Sequence, residues 1–225
     1  MPFDESILGS GVYTPREAAR LVGTSPQQVL RWTRGSGPNA PLWNAHYQFL
    51  DADVTDISFL DLVEVRVVAA MRRAGVSLQA IRFAMSFAQE RLGVVRPLAS
   101  QSFRTDGSEI LMEAVERDGQ LMSLSSKRPG QKVFREIILQ SLNDLEYDQG
   151  MAIRWRPRQF SDVVIDPARS FGDPILDDFG ISTAMLRAES RDGSSSRYLS
   201  RLYEIPERMV RTAIAFEEGL DRRNG

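Results

Sequence analysis

Apolar positions in the N-terminal part of the chain recur at helical spacing. In "YTPREAARLVGTSPQQVLRW", Ala18, Leu21 and Val22 form one stripe at i, i+3 and i+4, and Gly23 stops it. Thr14 precedes Glu17 by three residues, the spacing at which a hydroxyl and a carboxylate satisfy each other's exposed backbone N–H groups. Pro15 suits the first helical position, where a missing N–H costs nothing. A second helix opens at Pro26 behind Thr24 or Ser25 as cap, with Val29, Leu30 and Trp32 turned to the core. The next stretch, "GSGPNAPLWNAHYQFLDADV", is rich in turn formers yet carries Trp43, Tyr47, Phe49 and Leu50, and predicts a wing or hairpin. From Ser58 the helical period returns. Leu60, Leu62, Val63, Val67, Val68 and Met71 supply one apolar face, Gly75 breaks the helix, and Ser77 restarts it with Ala80, Ile81, Ala84, Met85 and Phe87 inward.

The texture changes around Val95. No long helix is evident after Leu92; "FRTDGSEILMEAV" and "GQLMSLSS" predict strands instead. "KVFREIILQSLNDLEY" places Val133, Phe134, Ile137, Ile138, Ser141, Leu142 and Leu145 on one helical face. "MAIRWRP" alternates Met151, Ile153 and Trp155 against Arg154 and Arg156, as a half-buried strand does. The last third predicts helices near residues 182–189 and 196–203 and a final one begun at Pro206. In that last helix Met209, Val210, Ala213 and Ile214 face inward, while Arg208, Arg211, Thr212 and Ala215 lie on the other side. A short helix, a tight turn and a longer amphipathic helix have the form of a helix-turn-helix reader. The expected fold is therefore mainly α with a small mixed α/β middle module. Residues 1–95 form an N-terminal winged helix-turn-helix, 96–160 a small α/β module and candidate dimerisation unit, and 161–225 a trihelical helix-turn-helix.

Composition narrows the function. Hydrophobic content of 42% and charged content of 26% over 225 residues describe an ordinary soluble chain. No apolar run is long enough to cross a bilayer and no secretory segment opens the sequence, so the expectation is a cytoplasmic protein with no membrane partner. There is no cysteine and a single histidine, His46, which excludes thiolate chemistry and multi-histidine metal cages. Asp177–Asp178 and the group Asp51, Asp53 and Asp56 lie beside turn or cap residues. With no glycine-rich phosphate loop and no nucleophile paired to a histidine, we expect no enzyme, no catalytic residue, no bound metal and no cofactor. The net charge of −2 argues against a wholly basic surface. The field that matters is local, however, and only Lys127 and Lys132 among the 28 basic residues are lysines. Arginine suits bidentate recognition of phosphate and guanine.

These residues point to double-stranded DNA. Gln27, Gln28, Arg31 and Arg34 form an outward strip on the second helix, of which Gln27, Gln28 and Arg31 would read bases, Gln bonding adenine and Arg guanine. Thr24, Ser25 and the helix N-terminal amides would hold phosphates, with Thr14 and Arg16 at the start of the preceding helix beside them. Arg34 and the wing residues Asn39 and His46 would position the protein on the backbone, and Arg197, Arg201, Arg208 and Arg211 would serve a C-terminal reader.

The stretch from residue 13 to 92, with its "DLVEVRVVAAMRRAGVSLQAI" pair of helices, resembles the winged helix-turn-helix of the MerR superfamily, without the cysteines of its metal-sensing members. The C-terminal part is similar to the helix-turn-helix domains found with VapB-type antitoxins, in Asp166-Pro167, Gly172, Pro174, the "ISTAML" helix and Ile205-Pro206-Glu207 with the "AIAFE" ending. The family's "GTRI" tetrad is replaced by "DFGI". The fusion resembles the larger VapB antitoxins. That resemblance implies a homodimeric autorepressor whose partner is a PIN-type ribonuclease toxin. Two alternatives stand beside it: an interaction module that neutralises a nuclease, and a ligand-responsive MerR-like regulator.

Overall fold

A computed structural model of the chain describes residues 9–49, 53–117 and 131–223. The strand expected at "GQLMSLSS", together with Leu50 and Asp51, lies outside them. The described chain clusters into two units: Tyr13–Ala152, and the described residues of Met1–Val12 with Ile153–Gly225.

Local capping sets the start of the larger unit. Helix α1 (Pro15–Val22) begins at Thr14, whose N–H donates to Glu17 Oε2 at 2.8 Å while Glu17 N–H donates to Thr14 Oγ1 at 3.2 Å, and it stops at Gly23 in the left-handed region. Ser25, rather than Thr24, caps α2 (Pro26–Arg34), with Gln28 completing the box. Tyr13 and Ile57, both buried, exchange backbone hydrogen bonds of 3.0 and 2.9 Å, joining the lead-in of α1 to that of the next helix. The hairpin expected between them reduces to one bridge, Ser36 with Asn39, and a 3-10 turn at His46–Phe49. Pro38 and Pro41 have no N–H to extend a ladder.

Helices α3 (Phe59–Arg73) and α4 (Leu78–Leu92) open on Ser58 and Ser77, as their sequence predicts. The segment after them departs from expectation. Residues read as strand form helix α5 (Gln101–Arg117), 17 residues long, a long helix where none was evident. Its buried positions Phe103, Gly107, Ile110 and Leu111 follow i, i+4, i+7, i+8, a helical stripe that the central glycine disguised. A Cβ on Gly107 would lie 2.8 Å from Ile138 Cδ1, so the glycine serves close approach to α6 (Gln131–Leu142). Helix α6 ends at Leu142, short of the expected face, and Leu145 instead opens strand β1 (Leu145–Asp148). A bidentate pair of 2.8 and 2.9 Å from Arg66 to Asp144, with a 3.0 Å bond to the Gln140 carbonyl, ties α3 to the end of α6.

The sheet is antiparallel and small. The turn Gln149–Gly150, with φ positive at both residues, leads to β2 (Met151–Trp155), in which Ala152 as well as Trp155 is buried, so the expected alternation is blurred. Strands β3 (Val163–Ile165), β4 (Pro174–Leu176) and β5 (Ile181–Ser182) complete the order β1-β2-β3-β4-β5, with Val163 opposite Leu176, Val164 opposite Ile175 and Leu176 opposite Ile181. In the smaller unit, Ser182 and Ser195 cap α7 (Thr183–Arg191) and α8 (Ser196–Leu202), and α9 (Glu207–Arg223) follows a turn in which Glu204 has φ +54°. The pairs Thr183–Glu217, Arg187–Glu218 and Arg191–Asp221 advance together along both helices, so α7 and α9 run side by side in the same sense. Leu186, Leu199, Met209, Val210, Ala213, Phe216 and Leu220 are buried, while Ile214 is only half-buried. The chain is thus mainly helical with a small antiparallel sheet, and no described helix is long and apolar enough to cross a membrane.

Candidate nucleic-acid interface

Helix α2 is amphipathic because its apolar residues fall on one side. Val29, Trp32 and Thr33 are buried, which leaves Gln27, Gln28 and Arg31 exposed. The Arg31 guanidinium has no hydrogen-bond or ion-pair partner among the described residues. Gln27 lies four residues before it, on the same face. The other members of the expected strip are differently engaged. Gln28 Oε1 accepts from the Ser25 N–H at 3.3 Å and the Thr24 hydroxyl at 2.5 Å, so its carboxamide oxygen belongs to the cap. Arg34 is half-buried and Nη1 donates to the Val54 carbonyl at 2.8 Å, turning it toward its own loop.

Around this helix, Thr14 and Arg16 are exposed at the start of α1, and Thr24 and Ser25 are half-buried at the start of α2. Asn39 is exposed at the tip of the following turn, its Nδ2 3.3 Å from the Ser36 carbonyl. His46 is half-buried, with its ring edge-on to Tyr47 at 5.1 Å between centroids. Gly35, at φ +83°, closes the C-terminus of α2. A Cβ there would collide with the Asn39 carbonyl, so only glycine lets this loop fold back on the helix.

In the smaller unit, α8 exposes Arg197, Tyr198, Arg201 and Leu202, and neither arginine is paired among the described residues. Helix α9 exposes Arg208 and Arg211, but Arg208 lies 3.6 Å from Asp162 and Arg211 pairs with Glu207 at 2.6 Å. Asp177 is held by Arg156 at 2.7 Å and Arg169 at 2.5 Å. Burial raises its pKa, but hydrogen bonds and charge from these arginines outweigh burial and leave it below the usual carboxylate range.

Sequence reasoning missed a buried polar node beneath the segment that follows α2. Asp61, on α3, is fully buried. Its Oδ2 accepts from the Ser58 N–H at 3.0 Å, the Ser58 hydroxyl at 2.9 Å and the His46 N–H at 2.9 Å, and Oδ1 accepts from Trp43 Nε1 at 2.9 Å. Arg96 Nη2 lies 2.8 Å from Oδ1 and donates to the Asn44 carbonyl at 2.9 Å. One helical turn on, buried Glu64 accepts from the Leu98 N–H at 3.3 Å through Oε1, while Oε2 has no hydrogen-bond partner and stands 3.7 Å from Arg96 Nη1. Burial pushes the Glu64 carboxyl up to about 8, Asp61 adding to the rise and Arg96 and the Leu98 N–H opposing it. The signal in the sequence is two acids three apart inside "FLDLVEVRVV", where Leu62, Val63, Val65 and Val67 around them are all buried.

The chain belongs to the VapB-type antitoxins. It is 32% identical over 168 residues to the Mycobacterium tuberculosis protein named "Putative antitoxin VapB45", the match covering 70% of each chain. The crystal structure of Rv2018 from the same organism superposes with a TM-score of 0.69 at 25% identity, over 90% of this chain and 96% of that one. No family model matches the sequence.

Proposed function

We propose that this antitoxin is a homodimeric, sequence-specific binder of double-stranded DNA that represses its own operon and neutralises a PIN-type ribonuclease toxin, acting by binding and not by catalysis. Helices α1 and α2, joined through Gly23 and Ser25, serve as a winged helix-turn-helix, and α2 enters the major groove. The observation that carries this reading is the exposed pair Gln27 and Arg31 on a helix otherwise anchored by Val29 and Trp32, with the Arg31 guanidinium unpaired among the described residues. Gln27 is suited to adenine and Arg31 to guanine, each good pair contributing roughly 1–3 kcal/mol of discrimination. Arg16 and the N-terminal amides of α2 lie where phosphates would sit. Gln28 and Arg34 support the reader and do not read, since each is already committed within the protein.

The test is binding of the full-length protein to the duplex upstream of its own gene against a random duplex, across a salt series. The expected result is preference for the upstream duplex and an affinity that falls as salt rises, each neutralised phosphate adding about 0.9 to the slope of log K on log salt. Equal affinity for both duplexes, or no salt dependence, overturns it.

A second reading applies to the smaller unit. Phe171, Phe179, Met185, Tyr198 and Leu202 are all large apolar side chains left exposed there. Aromatic residues flanked by arginines, as Tyr198 is by Arg197 and Arg201, are typical anchors of protein interfaces. This favours the smaller unit as the toxin-docking part over a second DNA reader. Co-purification with the neighbouring gene product, lost on Tyr198→Ala, supports docking; loss of duplex affinity with retained co-purification supports DNA.

A further inference from the structure

The segment following α2 has little regular structure to hold it, yet three of its residues converge on one buried point. The Trp43 indole N–H, the Asn44 carbonyl and the His46 N–H all end on the Asp61–Arg96 pair. Asp61 accepts from the Ser58 N–H and hydroxyl, Trp43 and His46 and is ion-paired with Arg96, and so has no capacity to spare. Arg96 is the only group of this set that faces two carboxylates. It serves Asp61 at 2.8 Å and holds the wing through Asn44 at 2.9 Å, while its other nitrogen stands 3.7 Å from Glu64 Oε2, which has no hydrogen-bond partner among the described residues.

We propose that Arg96 is a latch fixing the Trp43–Asn44–His46 segment against α3, and that Glu64 is its release: ionised Glu64 draws Arg96 away from Asn44 and Asp61, freeing the wing and weakening duplex binding. The charge balance explains the direction. With Glu64 neutral, Arg96 and Asp61 make a paired, net-neutral node. With Glu64 ionised, a single guanidinium faces two buried carboxylates, and closing the 3.7 Å gap is the available compensation. The charged groups acting on Glu64 are Arg96 and Asp61, with the Leu98 N–H on the remaining side. The carboxyl's elevated pKa, about 8, sets the window in which release occurs. Arg96 and Glu64 are positioning residues, since both act through the wing. The link to DNA rests on the reading proposed above, whereas the latch itself does not.

The experiment follows the indole 15N–1H signals of the full-length protein from pH 6.5 to 9.5, assigned by substituting each tryptophan with Phe, alongside affinity for the upstream duplex. In the wild type the Trp43 signal shifts with a midpoint near 8 while Trp32 stays put, and duplex affinity falls about tenfold across the same range. Glu64→Gln, which keeps the shape and removes the ionisation, holds the Trp43 signal at its low-pH position and flattens the affinity profile. A Trp43 signal that does not move in the wild type, which needs no variant to fold, overturns the latch, as does an unchanged transition in Glu64→Gln. A Trp43 transition with no duplex binding at any pH leaves the latch standing and removes the DNA-binding reading.

Discussion

At the scale of single residues, position on a helix and prior commitment of a side chain decide what it can do. Gln28 and Arg31 are both exposed and three apart on α2, but one oxygen of Gln28 is already the acceptor of the helix cap. Arg31→Ala is therefore expected to cut discrimination between the preferred and random duplex by roughly 1–3 kcal/mol, about 5- to 150-fold, with thermal stability unchanged. Gln28→Ala is expected to do the reverse, lowering stability by about 1 kcal/mol through loss of the cap with a smaller effect on preference. Paired binding titrations and melting curves distinguish them; equal losses of discrimination would mean that Gln28 leaves the cap to read a base. Asp61→Ala is a harsher change. It leaves the half-buried Arg96 without its 2.8 Å partner and the Trp43 and His46 N–H groups without their acceptor, so a loss of about 3–5 kcal/mol in denaturant unfolding is expected.

At the scale of elements, what was legible in the sequence is what local chemistry determines. The caps at Thr14, Ser25, Ser58 and Ser77 lie within three residues of the N–H they satisfy, so α1 to α4 could be placed from sequence. Helix α5 could not, because Gly107 and the run of small polar residues around it mimic a broken strand, and the reason for the glycine is Ile138 on another helix. The short strands of the smaller unit escaped notice because each spans only two or three residues, too few for a period to register, even though Val163–Ile165 are strong strand formers. The candidate reader followed the same division. The exposed face of α2 was visible in its periodicity, whereas Arg34 finding Val54, and Arg96 finding Asp61, depend on contacts 20 and 35 residues away. Gly107→Ala tests the close approach of α5 to α6. The clash is with the ends of flexible side chains, so a loss of about 1–3 kcal/mol without unfolding is expected, measured by denaturant titration. No loss would mean that α5 and α6 separate at small cost.

At the scale of the whole molecule, the two units carry carboxyl groups displaced in opposite directions. In the larger unit Glu64 is raised, by burial first and Asp61 next, and Asp56 is raised by burial and by Glu17. A carboxyl raised on folding binds its proton more tightly in the folded state. Its contribution to stability is fully present below the unfolded value near 4.5 and is lost as pH rises through about 8. In the smaller unit Asp177 is lowered, its arginine partners outweighing burial. Its contribution is present above the unfolded value and disappears as pH falls through the folded one. Alkali is thus expected to loosen the larger unit first and acid the smaller. Hydrogen exchange resolved by unit at about pH 3, 7 and 9 checks this: protection in α3 should fall toward pH 9, and protection in β3, β4 and α7 should fall toward pH 3, below the ordinary carboxylate value of 3.8. Movement of both units in the same direction would show that groups other than these dominate. If the smaller unit is the toxin-docking part, a bound toxin should restore its protection at about pH 3 by mass action while leaving the alkaline response of α3 untouched.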